Sequence, residues 1–219
     1  MSILRRVVHA IGGRECRCRS DATSRSSRTT LAWRLRMDVL PDGTERLPTF
    51  RYHPDPTATD VFDQQDATCP CCLRSRGWVY IGPFYSREDP ESICPWCIAN
   101  GAAAEKFDAE FVDPHAVEPG ASEAALDELL HRTPCHFTAH SEAWPVHCGD
   151  FCAVLRPLQL EDLDNLREEI ASELSALREY VAVTETDFAF DLRREHSPLM
   201  VYLFRCLTCG KYRVNGDYE

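Results

Sequence analysis

Three Cys-x-x-Cys pairs, Cys69/Cys72, Cys94/Cys97 and Cys206/Cys209, dominate this sequence, and a fourth pair, Cys148 and Cys152, is one residue wider. Thiolates are soft ligands, and four of them in a tetrahedron suit Zn²⁺. A two-residue gap lets one tight turn aim both sulfurs at one ion. The first two pairs are separated by 21 residues, 73–93, which is the usual span of a structural zinc site. The intervening chain reads as a treble-clef-like unit. It has a knuckle (Cys69-Pro70-Cys71-Cys72), a hairpin from Trp78 to Tyr85 turning at Gly82-Pro83, and a helix whose first turn holds Cys94 and Cys97. The helix N-terminus also favours an anionic cluster through its dipole and free N–H groups.

The remaining pairs predict a second site from Cys148, Cys152, Cys206 and Cys209, with 53 residues between the pairs. Such a separation is tolerable because closure entropy grows only logarithmically with loop length. Gly210 accepts the left-handed conformation that a knuckle needs after its second ligand. His147 is an alternative to one of these cysteines. Two zinc ions are therefore expected. Disulfides would need an oxidising compartment, and no secretory signal is visible. A thioredoxin-like enzyme would offer one Cys-x-x-Cys near a βαβ unit, not three scattered pairs. Cys71 reads as a bystander in the first knuckle, Cys135 as a small hydrophobe, and Cys16 and Cys18 as part of a basic extension. His136, His140 and His147 crowd the segment before Asp150, but a catalytic role there is the lesser reading. Phosphate-loop, nucleophile-elbow and His-Glu-x-x-His patterns are absent. Trp78, Trp96 and Trp144 flank the clusters and read as small cores packed over the metal sites.

Elsewhere the pattern is mixed. Leu47 to Pro56 is Pro-punctuated and extended. Cys94 to about Phe107 reads as one helix, and Ser122 to His131 as a short helix capped by Ser122, with Leu126, Leu129 and Leu130 on one face. Residues 132–150 look irregular. Leu160 to about Tyr180 reads as the longest helix, apolar at Leu160, Leu163, Leu166, Ile170, Leu174 and Leu177. Phe188 to Leu192, Leu199 to Phe204 and Lys211 to Val214 read as strands. The expected class is α+β, with a C-terminal hairpin closing the second zinc site. No apolar run approaches the roughly 18 residues of a membrane span.

Charge divides the chain. Residues 1–36 carry nine Arg against Glu15 and Asp21, whereas residues 37–219 carry 15 basic and 33 acidic residues, a charge of −18. The first segment is Ser- and Thr-rich without amphipathic periodicity, so it reads as a disordered extension, a weak transit-peptide match, or chain preceding a true start at Met37. Residues 37–219 form the zinc-binding domain, divided into 37–115 and 116–219. Two four-thiolate zinc sites would add −2 each and take it to about −22. A body this acidic should repel nucleic acid, whose binding is driven by basic residues displacing counterions. It suits a basic partner such as a nuclease toxin, steered in by charge. Glu161 to Glu173 and Asp60 to Asp66 are the candidate acidic surfaces.

The run LPTFRYHPDP, CPCC, RGWVYIGPFYSRED and CPWCIANGAAAEKFDAEFVD over residues 47–112, with HCGDFCAVL and FRCLTCGKYR later, resembles the CbrC-like family, named for colicin tolerance. The resemblance covers about 47 to 214. It implies three Cys-x-x-Cys motifs, here Cys69/Cys72, Cys94/Cys97 and Cys206/Cys209, and a beginning near the LPTF segment. Leu73 departs from the knuckle pattern, which prefers Gly. The expected role is a non-enzymatic, cytoplasmic zinc protein giving toxin tolerance through protein–protein binding. The alternatives are a zinc-ribbon adaptor working with nucleic acid or transcription machinery, and a thiol redox enzyme.

Overall fold

The computed structural model describes residues 45–138, 143–192 and 197–218. The expectations for residues 1–36, with Cys16 and Cys18, and for His140 lie outside them. The fold is mixed α and β. Strand β1 (Phe62–Asp63) pairs antiparallel with β2 (Val79–Tyr80), and helices α1 (Pro95–Ala99), α2 (Ala102–Phe107) and α3 (Glu123–Arg132) follow. Then come β3 (Val146–His147), β4 (Asp150–Pro157), helices α4 (Asp162–Asn165), α5 (Arg167–Tyr180) and α6 (Glu185–Asp191), and strands β5 (Leu199–Cys206) and β6 (Tyr212–Tyr218). The last four strands form one antiparallel sheet in the order β3-β4-β5-β6.

Strand β5 explains how this sheet is packed. Its odd positions Leu199, Val201 and Leu203 join Ile170, Leu174, Leu177 and Phe188 in a core under α5 and α6. Its even positions Tyr202, Phe204 and Cys206 join Trp144, Phe151, Cys152, Leu129 and Leu130 on the opposite face. A strand buried on both faces has no polar face, which is why Leu199 to Phe204 is a continuous apolar run. A third core gathers Phe50, Val61, Tyr80, Ile93, Trp96, Phe107 and Phe111 around Cys69, Cys94 and Cys97.

Helix α3 forms as expected, with the Ser122 hydroxyl accepting from the Ala125 amide at 3.2 Å and Leu129 and Leu130 buried. Other expectations are corrected. The single helix from Cys94 to Phe107 is two, parted at Asn100-Gly101, where Gly101 takes φ +76°. The long helix from Leu160 is also two, broken at Leu166; α4 carries the buried Asp162, which accepts two bonds from Arg156 at 2.7 and 2.8 Å. Phe188 to Leu192 is not a strand but the end of α6. The Thr184 hydroxyl accepts from the Asp187 amide, starting a helix that buries Phe188 and leaves Phe190 exposed. The Trp78–Tyr85 hairpin does not form either. β2 pairs with β1 instead, and Tyr85 bridges to Glu110. Strand β4 lies where no element was expected.

Helix α5 also covers one edge of the sheet. Glu169 and Glu173, one turn apart, accept the outward-facing amides of Tyr212 at 2.9 Å and Val214 at 2.6 Å on β6. Arg213 joins Glu173 from the same strand and donates to the Val146 carbonyl at 2.9 Å, tying α5 to β3 as well.

Candidate metal centres

Two groups of four donors assemble among the described residues, each with all its ligand atoms within 4.8 Å of one another: Cys69, Cys72, Cys94 and Cys97, and His147, Cys148, Cys206 and Cys209. Either could hold a metal ion.

In the first group, backbone bonds fold the knuckle. The Leu73 amide donates to the Cys69 carbonyl at 2.8 Å, and the Cys69 amide donates to Arg74 at 3.0 Å. Leu73 consequently adopts φ +58°, a left-handed conformation that is costly for a side chain with a Cβ, and its side chain stands 76% exposed. Cys94 precedes Pro95 at the first helical position, so its sulfur and that of Cys97 lie on the opening turn of α1. The Sγ–Sγ separations are 3.9 Å for Cys69–Cys97 and 3.8 Å for Cys72–Cys94. The Cys94 amide donates to the Cys69 sulfur at 3.3 Å. Hydrogen bonding with Cys94 and then Cys97 holds the Cys69 thiol far below its ordinary range, while the same contact pushes Cys94 up to about 12. Cys71 is half-buried beside them, its thiol pushed up by burial, and is not in the group.

The second group sits at one end of the four-stranded sheet. His147 closes β3, Asp150 opens β4, and the two residues between them, Cys148 at φ +55° and Gly149 at φ +76°, make a two-residue hairpin turn with both positions left-handed. That turn brings the adjacent side chains of His147 and Cys148 to one site. The partner knuckle repeats the first: the Gly210 amide donates to the Cys206 carbonyl at 3.0 Å, and the Cys206 amide to Lys211 at 2.8 Å. His147 Nδ1 lies 3.2 Å from the Cys148 sulfur and 3.3 Å from that of Cys209. Burial pushes the Cys206 thiol up, but the Cys209 amide, His147 and the Thr208 amide outweigh it and set the thiol at about 6. Cys148 and Cys209 are exposed, and Cys206 is buried.

Cys152, expected as a ligand, is not brought into this group; His147 stands in its place. The reason is register. The hairpin turn ends at Asp150, so Cys152 falls two residues along β4, opposite Cys206 and inside the core, where burial raises its thiol to about 12. His147, named from the sequence as the alternative donor, takes that place, and the His-Cys-Gly-Asp run, in which Gly marks a tight turn, carries its signal.

Two other histidines, His53 and His136, lie buried in the fold. His53 is buried, with Nδ1 2.8 Å from the Pro134 carbonyl and Nε2 2.7 Å from the Thr59 hydroxyl. His136 is fully buried among Trp144, Tyr202 and Phe204, edge to face with each, and neither ring nitrogen has a hydrogen-bond partner. Burial lowers both, to about 4 for His53 and about 3 for His136. Trp144 donates to the Cys152 carbonyl at 2.7 Å, and Trp96 carries the Arg76 guanidinium 4.9 Å above its ring. No described helix is long and apolar enough to cross a membrane.

No solved structure matches this chain. It is 37% identical over 177 residues to UPF0167 proteins of Mycobacterium bovis and Mycobacterium tuberculosis, covering 80% of this chain and 95% of each relative. A UPF0167 protein of Pseudomonas aeruginosa is 35% identical over 175 residues, covering 78% of this chain and 97% of the relative. Residues 47–218, which contain both donor groups, match the family model throughout, and the chain belongs to UPF0167, an uncharacterised protein family.

Proposed function

We propose that this is a non-enzymatic zinc protein, with one ion held by Cys69, Cys72, Cys94 and Cys97 and a second by His147, Cys148, Cys206 and Cys209, and that it works by binding another protein. The observation that carries the reading is the spacing of the donors. Four sulfurs about 2.3 Å from a central Zn²⁺ stand about 3.8 Å apart at tetrahedral angles; the Cys69–Cys97 and Cys72–Cys94 separations are 3.9 and 3.8 Å. For a sulfur and an imidazole nitrogen the figure is about 3.6 Å, and the second group has 3.2 and 3.3 Å. Each group offers four protein donors, enough to fill a zinc tetrahedron, which supports a structural ion over a catalytic one that keeps an open position.

The binding role rests on charge. With His147 in place of a thiolate the second site adds −1, so residues 37–219 go from −18 to about −21. Part of the acidic surface is already engaged: Asp162 with Arg156, Glu169 and Glu173 with β6, and Asp66 with Ser75. What is left suits a basic protein, a nuclease toxin in the CbrC-like reading, met in the reducing cytoplasm. Elemental analysis of the purified chain tests the metal, with two zinc per chain expected and none refuting it. Association with a basic nuclease should slow steeply with added salt; binding of DNA by residues 37–219 would favour the adaptor reading instead.

A further inference from the structure

We propose that Cys152 is a reserve thiol for the second metal site: when the ion is lost under oxidation, Cys152 and Cys206 join in a cross-strand disulfide. The inference rests on the metal reading of His147, Cys148, Cys206 and Cys209.

Register carries it. Cys152 on β4 is directly opposite Cys206 on β5. The Cys152 amide points away from β5, to the Pro145 carbonyl at 2.9 Å, and the Cys206 amide points away from β4, to Lys211 at 2.8 Å. The two therefore form a non-hydrogen-bonded antiparallel pair, whose Cα atoms come to about 4.5 Å with the side chains on one face. A disulfide accepts Cα separations of roughly 4.4–6.8 Å. Both cysteines are free, both are buried, and both belong to the same core with Trp144 and Phe204.

Only the ion separates their chemistry. While Cys206 ligates metal its sulfur is engaged, and Cys152 stands outside the donor group. The rim of the site is open, since Cys148 and Cys209 are exposed. A peroxide is then a sufficient oxidant. One peroxide oxygen passes to the Cys206 thiolate as the O–O bond breaks, giving a sulfenic acid and one hydroxide, and the three donors left would hold Zn²⁺ less tightly. The Cys152 sulfur attacks the Cys206 sulfur. The S–S bond forms, the S–O bond breaks, and the departing hydroxide takes the Cys152 proton to leave as water. One thiolate, one thiol and one peroxide give one disulfide, one water and one hydroxide. Among the described residues, the first site has no such thiol set across a strand register.

The test uses the full, zinc-loaded chain treated with hydrogen peroxide. Released zinc is read with a chromogenic chelator, and disulfides by mass spectrometry of unreduced peptides. The expected result is loss of one of two zinc ions, together with a peptide joining Cys152 to Cys206. Dithiothreitol with added zinc should reverse both. In Cys152→Ala the linked peptide should vanish, although the untreated variant still carries two zinc. Zinc loss with a Cys206–Cys209 linkage, or with Cys152 left free, overturns the inference while leaving the metal reading intact. A wild-type chain that never holds the second zinc overturns both.

Discussion

The two knuckles share a backbone and differ in almost everything else. Each closes with an amide four residues on donating to the first cysteine's carbonyl (Leu73 to Cys69, Gly210 to Cys206) and with that cysteine's amide donating to the next residue (Arg74, Lys211). In the first the donor set is all sulfur and three of its four members are buried, inside a core of its own. The second uses a histidine, keeps two exposed cysteines, and sits at the end of a sheet with cores on both faces. The lesson is that one turn motif serves two purposes. On the proposed metal reading, short helices and a sheet of two-residue strands leave the first region dependent on its ion, whereas the second has independent support.

The sharpest break of this comparison is Cys97→Ser. Removing this proposed ligand should cost on the order of 5 kcal/mol or more, and drop zinc from two ions to one. Thermal melting with zinc analysis checks it, and a mild loss would show that the first core stands without its ion.

Acid comes next, acting on the core beneath the second site. His53 and His136 are held neutral by burial, at about 4 and about 3. The unfolded chain takes up protons near the ordinary value of 6.5 and the folded chain does not, so stability is lost as pH falls below about 6.5. Each should cost about 2 kcal/mol at pH 5. Urea unfolding in saturating zinc at pH 7 and 5 should show the fall, and His136→Phe should remove about half of it.

His147→Ala and Cys152→Ala separate ligand from neighbour. The first should lose the second zinc and about 2–3 kcal/mol. The second should keep both ions and lose about 1 kcal/mol for the small cavity. Equal zinc loss in both would return Cys152 to the ligand set. The smallest effect is a gain: Leu73→Gly should relieve the left-handed strain and stabilise by about 1 kcal/mol, making the first knuckle like the second. Chemical denaturation would read it, and a loss would mean that the exposed Leu73 side chain has packing value.

Most of the candidate donor cysteines were legible, because ligand chemistry restricts spacing more tightly than folding does. Seven of the eight reach a donor group. The eighth failed because strand register, not sequence distance, places side chains: His147 and Cys148 share a hairpin tip, and Cys152 belongs to the strand. Helix α3 was legible from Ser122 and its leucines. Helix α6 was misread because Phe188 and Phe190 alternate like a strand, although Thr184 with Asp187 three residues on carries a helix start. The pairing of β2 with β1 was hidden, since two-residue strands leave no periodic trace and tertiary packing chooses the partner.

The carboxylates of Glu169 and Glu173 bear on how the chain behaves at high concentration. A bare strand margin invites another molecule to extend the sheet, and fibres begin that way. Here a helix from the same polypeptide occupies the amides of Tyr212 and Val214 first. Self-polymerisation along that margin must displace two anionic acceptors before it can start.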